Sequence, residues 1–387
     1  MRNFVSQNVQ NMRPSGIRRY FDIAATMENV ITLGIGEPNF TTPAHITEKG
    51  VAALQAGRTA YTSNAGMIEL RRAIAGYIER LYGLVYRPED QVLVTVGVSE
   101  GLWLALKAIL DPGDEVLVVQ PCFVANSAAV EMAGGVSVPV DAVVENEFQV
   151  TGADLEAKIT PRTKAILISY PNNPTGAILT DEHLHQVAAV AEKYDLVVIS
   201  DEIYERLIYN DVTHTCFAAL PGMFERTIVL SGMSKSFAMT GWRIGYVTAP
   251  EAMMVAMHKL HQYLIMSAPT VAQIASIEAL LYGDEDVEMM RGVYDQRRRL
   301  IVDGFNDMGL TCFEPRGAFY AFPSIAVTDM SDEDFCESLL REEQVAVVPG
   351  SAFGDSGRGF VRASYTNSTE NIEKALERMR RFMIRHG

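Results

Sequence analysis

Lys235 is the residue to explain first. It lies in the stretch LSGMSKSFAMTGWRIGY, Leu230–Tyr246, where one lysine follows an apolar run and Arg243 comes eight residues later. Glycines and small hydroxyl residues surround both cations. A solvated ion pair needs no such neighbours, and a buried core segment would carry no cation at all. The stretch asks for a ligand. A lysine amine can form a Schiff base with a carbonyl, and an arginine fork matches the oxygens of a phosphate.

Three more apolar runs end in residues that could serve a ligand. After QVLVTVG comes Val98-Ser99-Glu100-Gly101, opening the helical stretch GLWLALKAIL. A helix N-terminus with a hydroxyl can bind an anion, although the same residues also make an ordinary cap. After KAILISY comes Pro171-Asn172-Asn173-Pro174-Thr175-Gly176. Two prolines there fix the backbone and hold an asparagine side chain in place, and a plain turn uses the same residue types. After LVVIS come Asp201, Glu202, Ile203 and Tyr204. An acid at the end of an apolar strand is costly unless a cation or donor meets it; a helix cap is the alternative. Taken together, an amine, a carboxylate, a phenol, an amide and an anion site are the inventory that one cofactor needs, pyridoxal phosphate. Its aldehyde takes a lysine and its ring nitrogen needs an acid to stay protonated. Its phenolic oxygen wants a hydroxyl and an amide, and its phosphate an arginine and backbone N–H groups.

The elements that must position these residues are short strands alternating with helices. QVLVTVG, DEVLVVQ, VSVPVDA, KAILISY, LVVISDE and TIVLSG read as strands, several apolar at consecutive positions as strands buried on both faces are. Such alternation predicts a parallel-rich sheet covered by helices, with ligands beyond the carboxyl ends of the strands. Before the sheet, Ser15 is the expected cap of a helix GIRRYFDIAATM, and the Gly/Pro-rich Leu33–Pro43 is an ordered loop. Helices are expected over Ala44–Ala56 and Gly66–Leu81. After Pro250 the pattern becomes one long helical region, Glu251–Tyr282, then Glu285–Met308, where Arg297, Arg298 and Arg299 read as a solvated face. GAFYAFPSI, a helix near Asp332–Glu343, VAVVPGSAFG, GFVRASY and a terminal helix from Ser368 complete a smaller α+β unit. The expected division is an N-terminal segment 1–42 packing with the small domain, a large domain 43–285, and a small domain 286–387.

Composition excludes several classes. The 387 residues carry 48 acids against 33 bases, a net charge of −15, which disfavours nucleic acid because phosphate backbones need a basic face. Cys122, Cys216, Cys312 and Cys336 show no metal or C-x-x-C spacing, so free thiols in a reducing cytoplasm, and no metal site, are expected. The N-terminus has no apolar signal core, and no run of about 18 apolar residues predicts a membrane span.

Gly232-Met233-Ser234-Lys235, Ala238-Met239, Gly241 and Arg243-Ile244-Gly245 closely resemble the lysine signature of the class I/II aminotransferases of fold type I, in the prokaryotic aspartate and aromatic branch. The resemblance runs from LGIGEP at Leu33 to FVRASY at Tyr365. It implies the pyridoxal-phosphate fold, a large domain whose mostly parallel seven-stranded sheet lies between helices, plus a smaller α+β domain. It implies an amino-group transfer from an L-amino acid to a 2-oxo acid such as 2-oxoglutarate by a ping-pong mechanism. By resemblance Lys235 is the Schiff-base lysine and proton shuttle, Asp201 pairs with the ring nitrogen, and Tyr204 and Asn173 hold the phenolic oxygen. Arg243, Ser99 and the Val98 and Ser99 amides take the phosphate. Phe123 covers the ring, Tyr61 reaches a neighbouring subunit's phosphate, and Arg362 with Gly36 and Asn173 receives the substrate α-carboxylate. A homodimer with shared active sites follows.

Two positions depart from the family pattern. Gly232 stands where many relatives have a phosphate-binding serine, leaving Ser231 or Ser234 as substitutes. No second arginine is evident for a dicarboxylate's distal acid, so the side-chain pocket is expected to be walled by Ile17, Tyr20, Ile35 and residues near Tyr263. The alternatives are an N-acetyl-LL-diaminopimelate aminotransferase and a lyase or synthase of the same fold. A cofactor-sensing regulator is disfavoured, because such regulators carry an N-terminal helix-turn-helix domain, whereas the aminotransferase-like stretch is expected to begin almost at once here and the net charge is −15.

Overall fold

The computed structural model describes residues 27–210 and 212–387, with scattered positions before residue 27. Ser15, Ile17, Tyr20 and most of the helix expected there lie outside the described residues. In chain order the first part of the fold is β1 (Ile31–Thr32), α1 (Ala44–Gln55), α2 (Ile68–Tyr82), β2 (Val92–Thr95), α3 (Val98–Ile109), β3 (Glu115–Gln120), α4 (Ala125–Ala133) and β4 (Val136–Asp141). Then come α5 (Gly152–Glu156), β5 (Thr163–Ser169), α6 (Asp181–Lys193), β6 (Val197–Asp201), β7 (Thr227–Gly232) and β8 (Gly245–Thr248). The remainder is α7 (Glu251–Leu264), α8 (Thr270–Tyr282), α9 (Asp284–Asp307), β9 (Tyr320–Ala321), α10 (Asp332–Glu343), β10 (Val345–Ala346), β11 (Val348–Pro349), β12 (Val361–Ser364) and α11 (Thr369–His386).

Seven strands form one sheet in the order β2-β8-β7-β6-β5-β3-β4, as expected for the family fold. The pairs β3/β4, β3/β5, β5/β6 and β6/β7 are parallel, while β8 runs antiparallel to both β7 and β2. Two reversals restore the direction, so β2 points the same way as β5, β6 and β7. The carboxyl ends of those four strands therefore share one edge. Alternate side chains pack on opposite faces. Val116, Val118, Ile199, Ile228 and Leu230 meet α3, α4 and α7 through Leu106, Val130 and Met257, all fully buried. Leu117, Ile166, Ile168 and Val198 meet Val187 and Val190 of α6 on the other face. Each such side chain contributes roughly 1.5–3 kcal/mol of burial.

β8 was not among the expected strands. Its sequence, GYVT, is short and begins in a glycine-rich stretch that reads as loop. Gly245 is required there, because a Cβ would lie 2.9 Å from the backbone of Gly97 and Val98. The expected helical region over Glu251–Tyr282 is two helices: α7 ends at Leu264, where Ile265 is extended, and Pro269 stands at the N-cap of α8. The expected solvated face on α9 is also corrected. Arg297 and Arg298 are buried, Arg297 donating to Asn39 Oδ1 and the Thr366 carbonyl, Arg298 to Asp295, Glu314 and Asn210; only Arg299 is exposed. At the C-terminal end β11-β12-β9 form an antiparallel sheet against α9 and α11, and β1 pairs in parallel with β10.

Candidate active site

The four strand ends open into one cavity of about 930 Å³. Val98, Ser99, Phe123, Asn173, Asp201, Tyr204, Lys235, Arg243, Gly36 and Arg362 all line it. Tyr61 does not. It is 78% exposed, on a loop whose Ala60 carbonyl accepts from Thr270 and whose Asn64 donates to the carbonyls of Ile265 and Met266.

Lys235 follows β7 by three residues, and its Nζ donates to the Gly36 carbonyl at 2.6 Å. Burial, helped by Arg362 and Arg243 and opposed by Glu37 and Asp201, lowers its pKa to about 8. Asp201 ends β6, paired in register beside Ser169 of β5. Its carboxylate accepts from the Ile203 N–H at 3.2 Å and from Ser169 Oγ at 3.5 Å, and burial raises it to about 6. Tyr204 Oη meets Tyr320 Oη at 2.8 Å.

The Arg362 guanidinium is buried over the ring of Tyr320, 4.6 Å from its centroid. It donates to Asn173 Oδ1 at 2.9 Å and to the Gly34 carbonyl, and its Nε has no partner among the described residues. Arg243 takes a left-handed conformation, φ 52°, after a short 3₁₀ turn. Its guanidinium lies where a Cβ on Gly97 would be, 2.6 Å from Nη2, so glycine at the N-cap of α3 admits the arginine to that helix's first turn.

The family model for aminotransferase class I and II matches residues 28–379. The chain belongs to the class I and II aminotransferase family. It is 50% identical to the putative aminotransferase YugH of Bacillus subtilis over 99% of both chains. It is 45% identical to an aspartate aminotransferase of Pyrococcus abyssi over 98% of each. The crystal structure of an aromatic aminotransferase from Pyrococcus horikoshii matches it with a TM-score of 0.91 at 43% identity, covering 95% of this chain and 99% of that one. The chain is therefore an aminotransferase of fold type I, and amino-group transfer is its reaction.

Enzymes of this aminotransferase family depend on pyridoxal phosphate, and the donor set fits that group. A half-buried amine, a buried carboxylate short of donors, and an arginine at a twelve-residue helix's N-terminus supply the needed chemistry in one cavity. Of the two candidate substitutes for a serine at 232, Ser234 lines the cavity, while Ser231 Oγ turns to the Glu202 carbonyl. Gly232 itself pairs with Gly245, and a Cβ there would lie 2.8 Å from the Gly245 Cα.

Sequence reasoning missed Tyr320, Ser169, Thr240 and Glu37, which also line the cavity. Ser169 had a signal, because it ends the strand beside Asp201. Tyr320 had none nearby: it reaches Tyr204 across 116 residues of chain. Of the expected side-chain walls Ile35 lines the cavity, but Tyr263 is 93% exposed and lies elsewhere. Met27, Val30 and Leu102 are apolar walls instead. Among the described residues no helix is long and apolar enough to cross a membrane, and no cluster could hold a metal.

Proposed function

We propose that this aminotransferase binds pyridoxal phosphate in the 930 Å³ cavity and takes amino groups from L-amino acids with apolar or aromatic side chains at least as well as from aspartate, with 2-oxoglutarate as acceptor. The observation that carries the reading is Lys235, a half-buried amine with its pKa lowered to about 8, bonded to the Gly36 carbonyl in a cavity it shares with Asp201 and Arg362. Bound there, the cofactor supplies a carbonyl for the lysine and an electron-withdrawing ring.

The chain's own residues do the rest. Asp201 stands ready to hold a proton at the ring nitrogen, since a protonated nitrogen supplies the cation its buried carboxylate lacks. Lys235 Nζ, its pKa lowered to about 8 so that a usable share of neutral amine exists at slightly alkaline pH, takes the donor's α-proton and holds it for redelivery within the site. Arg362, already oriented by Asn173 and Gly34, offers its fork to the α-carboxylate common to all donors. Arg243, Ser99 and the first N–H groups of α3 hold the phosphate. Tyr204 and Asn173 serve the phenolic oxygen, and Phe123 lies against the ring.

The donor preference rests on the cavity's charges. Its described cations are Lys235, Arg243 and Arg362, and each already has a role. No further cation among the described lining residues meets a second carboxylate, whereas Met27, Val30, Ile35 and Leu102 offer apolar wall. The test is a half-reaction screen, adding single amino acids to the cofactor-loaded protein and following its absorbance. Phenylalanine, tyrosine or leucine should discharge the lysine-bound band at rates comparable with aspartate. Reaction with aspartate alone would overturn the preference. The working form is a homodimer, in which the exposed Tyr61 loop, flanked by exposed Tyr263, Leu264 and Met266, meets the partner's site. Sedimentation that finds a fully active monomer would refute it.

A further inference from the structure

Glu100, His261 and Asn64 form a polar chain, centred on the fully buried His261, that the reaction does not use. Glu100 lies in the first turn of α3, beside Val98 and Ser99. One of its oxygens, Oε2, accepts the Val96 N–H. The other, Oε1, is buried and lies 3.5 Å from His261 Nε2. Neither Oε1 nor Nε2 has another partner among the described residues.

The neighbours decide where the hydrogens are. Asn64 Nδ2 donates to the carbonyls of Ile265 and Met266, both at 2.9 Å. Its Oδ1 therefore faces His261, 3.0 Å from Nδ1. An amide oxygen can only accept, so Nδ1 carries a hydrogen. Nε2 of a neutral ring is then bare and faces a carboxylate oxygen. Two bare acceptors would face each other at 3.5 Å, an arrangement that costs the desolvation of both. One proton must lie between Nε2 and Oε1. Burial favours the neutral arrangement on both sides, raising Glu100 and lowering His261 to about 4, with His258 lowering it further.

We propose that Glu100, His261 and Asn64 are positioning residues, a relay closed by that single proton, which fixes the anion-binding turn of α3 relative to the loop that carries Tyr61. The relay spans three elements far apart in sequence: the first turn of α3, helix α7, and loop 57–66. The phosphate end of the cavity is built on the first of these and, on the function proposed above, the partner's phosphate is met by the third. One subunit's grip on its cofactor is thus held in step with what it offers its partner.

The test measures pyridoxal-phosphate affinity of the cofactor-free dimer by absorbance titration, with melting temperature recorded alongside. Glu100→Gln keeps an acceptor for Val96 and places a permanent N–H against Nε2, so it should bind cofactor as wild type does. Glu100→Leu removes both and should weaken binding about tenfold, the scale of one buried hydrogen bond lost. Asn64→Ala, at a half-buried position that spares the core, should weaken it similarly. The double variant should be no worse than the poorer single, because a broken relay cannot be broken twice. Additive losses, or Glu100→Leu with wild-type affinity, overturn the relay. So does a Glu100→Gln protein as weak as Glu100→Leu. Failure of wild type to bind the cofactor would instead overturn the proposed function.

Discussion

Asp201 and Glu202 are consecutive, both are buried, and they serve opposite sides of the sheet. Asp201 faces the cavity with two weak donors, Ile203 N–H at 3.2 Å and Ser169 Oγ at 3.5 Å, and burial lifts it to about 6. Glu202 faces away. Burial pushes it up too, but His214 Nε2 at 2.7 Å, the Phe217 N–H at 3.0 Å and Ser200 Oγ at 2.8 Å outweigh that and hold it below the usual carboxylate range. Behind it Glu205 accepts from Tyr77 and Tyr82, each at 3.0 Å. Burial is the same on both sides; the supply of partners is not. The fully partnered side is scaffold, and the deficit on the other side is what a ligand makes good. Lys235, bonded to the Gly36 carbonyl, and Arg362, whose Nε has no partner among the described residues, belong to the deficient side.

The largest expected effect is at Lys235. Lys235→Ala should lose at least the roughly 10²–10⁴ that positioned proton transfer supplies, and covalent attachment of the cofactor on top. The protein should still fold, because the lysine's hydrogen bond to the Gly36 carbonyl stabilises little. Steady-state transamination at the wild-type rate would break the contrast between a reactive side and an inert one.

Next comes the scaffold. Removing one partner of a buried ion pair leaves a buried charge and costs roughly 3–5 kcal/mol, so His214→Leu should destabilise the fold by that much. Burial alone would lower His214, but Glu202 outweighs it and the net shift is upward, while Glu202 is shifted down. The His214 contribution is complete below its unfolded value near 6.5 and fades as pH rises through the raised folded value. The Glu202 contribution is complete above about 4.3 and is lost as pH falls through the lower folded value. Denaturation should therefore show the largest gap between wild type and variant near pH 5–6 and a smaller one at pH 9. A gap unchanged with pH would mean that packing, not charge, is what His214 provides.

Asp201 should behave with the opposite sign. Its raised folded pKa means that its ionisation opposes folding of the cofactor-free protein: relative stability is lost as pH rises from about 4 to about 6. Asp201→Asn should thus stabilise the cofactor-free protein at pH 7–8 by roughly 2–3 kcal/mol while slowing proton abstraction in single turnovers. An Asn variant that melts below wild type, or turns over as fast, would move Asp201 to the scaffold side of the comparison.

Much of this was legible in the sequence because each signal was local. The apolar runs ending at Thr95, Ser169, Asp201 and Gly232 are bounded by glycine, proline or charge, and their register places those ends together. The cavity residues that follow them could be named for the same reason. What could not be read depended on partners distant in the chain. Arg297 and Arg298 look solvated on a helix, until Asn39, Asn210, Glu314 and Thr366 arrive from elsewhere to satisfy them. β8 is a strand because it fits between β7 and β2, not because GYVT announces one. Gly232 looked like a missing serine, yet the close pairing with Gly245 leaves no room for a side chain.

Arg362 carries the mildest expected loss, and it separates orientation from charge. Its fork is aimed by Asn173 Oδ1 and the Gly34 carbonyl, and its face stacks on Tyr320 and on Phe353, 4.9 Å from that ring's centroid. Arg362→Lys keeps the cation but has no plane to stack and no pair of N–H groups to present. The expected cost is roughly 1.5–3 kcal/mol, the worth of a charged hydrogen bond, or about 10–150-fold in kcat/KM. Every donor shares the α-carboxylate, so phenylalanine and aspartate should lose by the same factor. If aspartate lost much more than phenylalanine, Arg362 would be reading the side chain as well. The cavity would then hold the second carboxylate with a cation already counted, and the preference for apolar donors would fail with it.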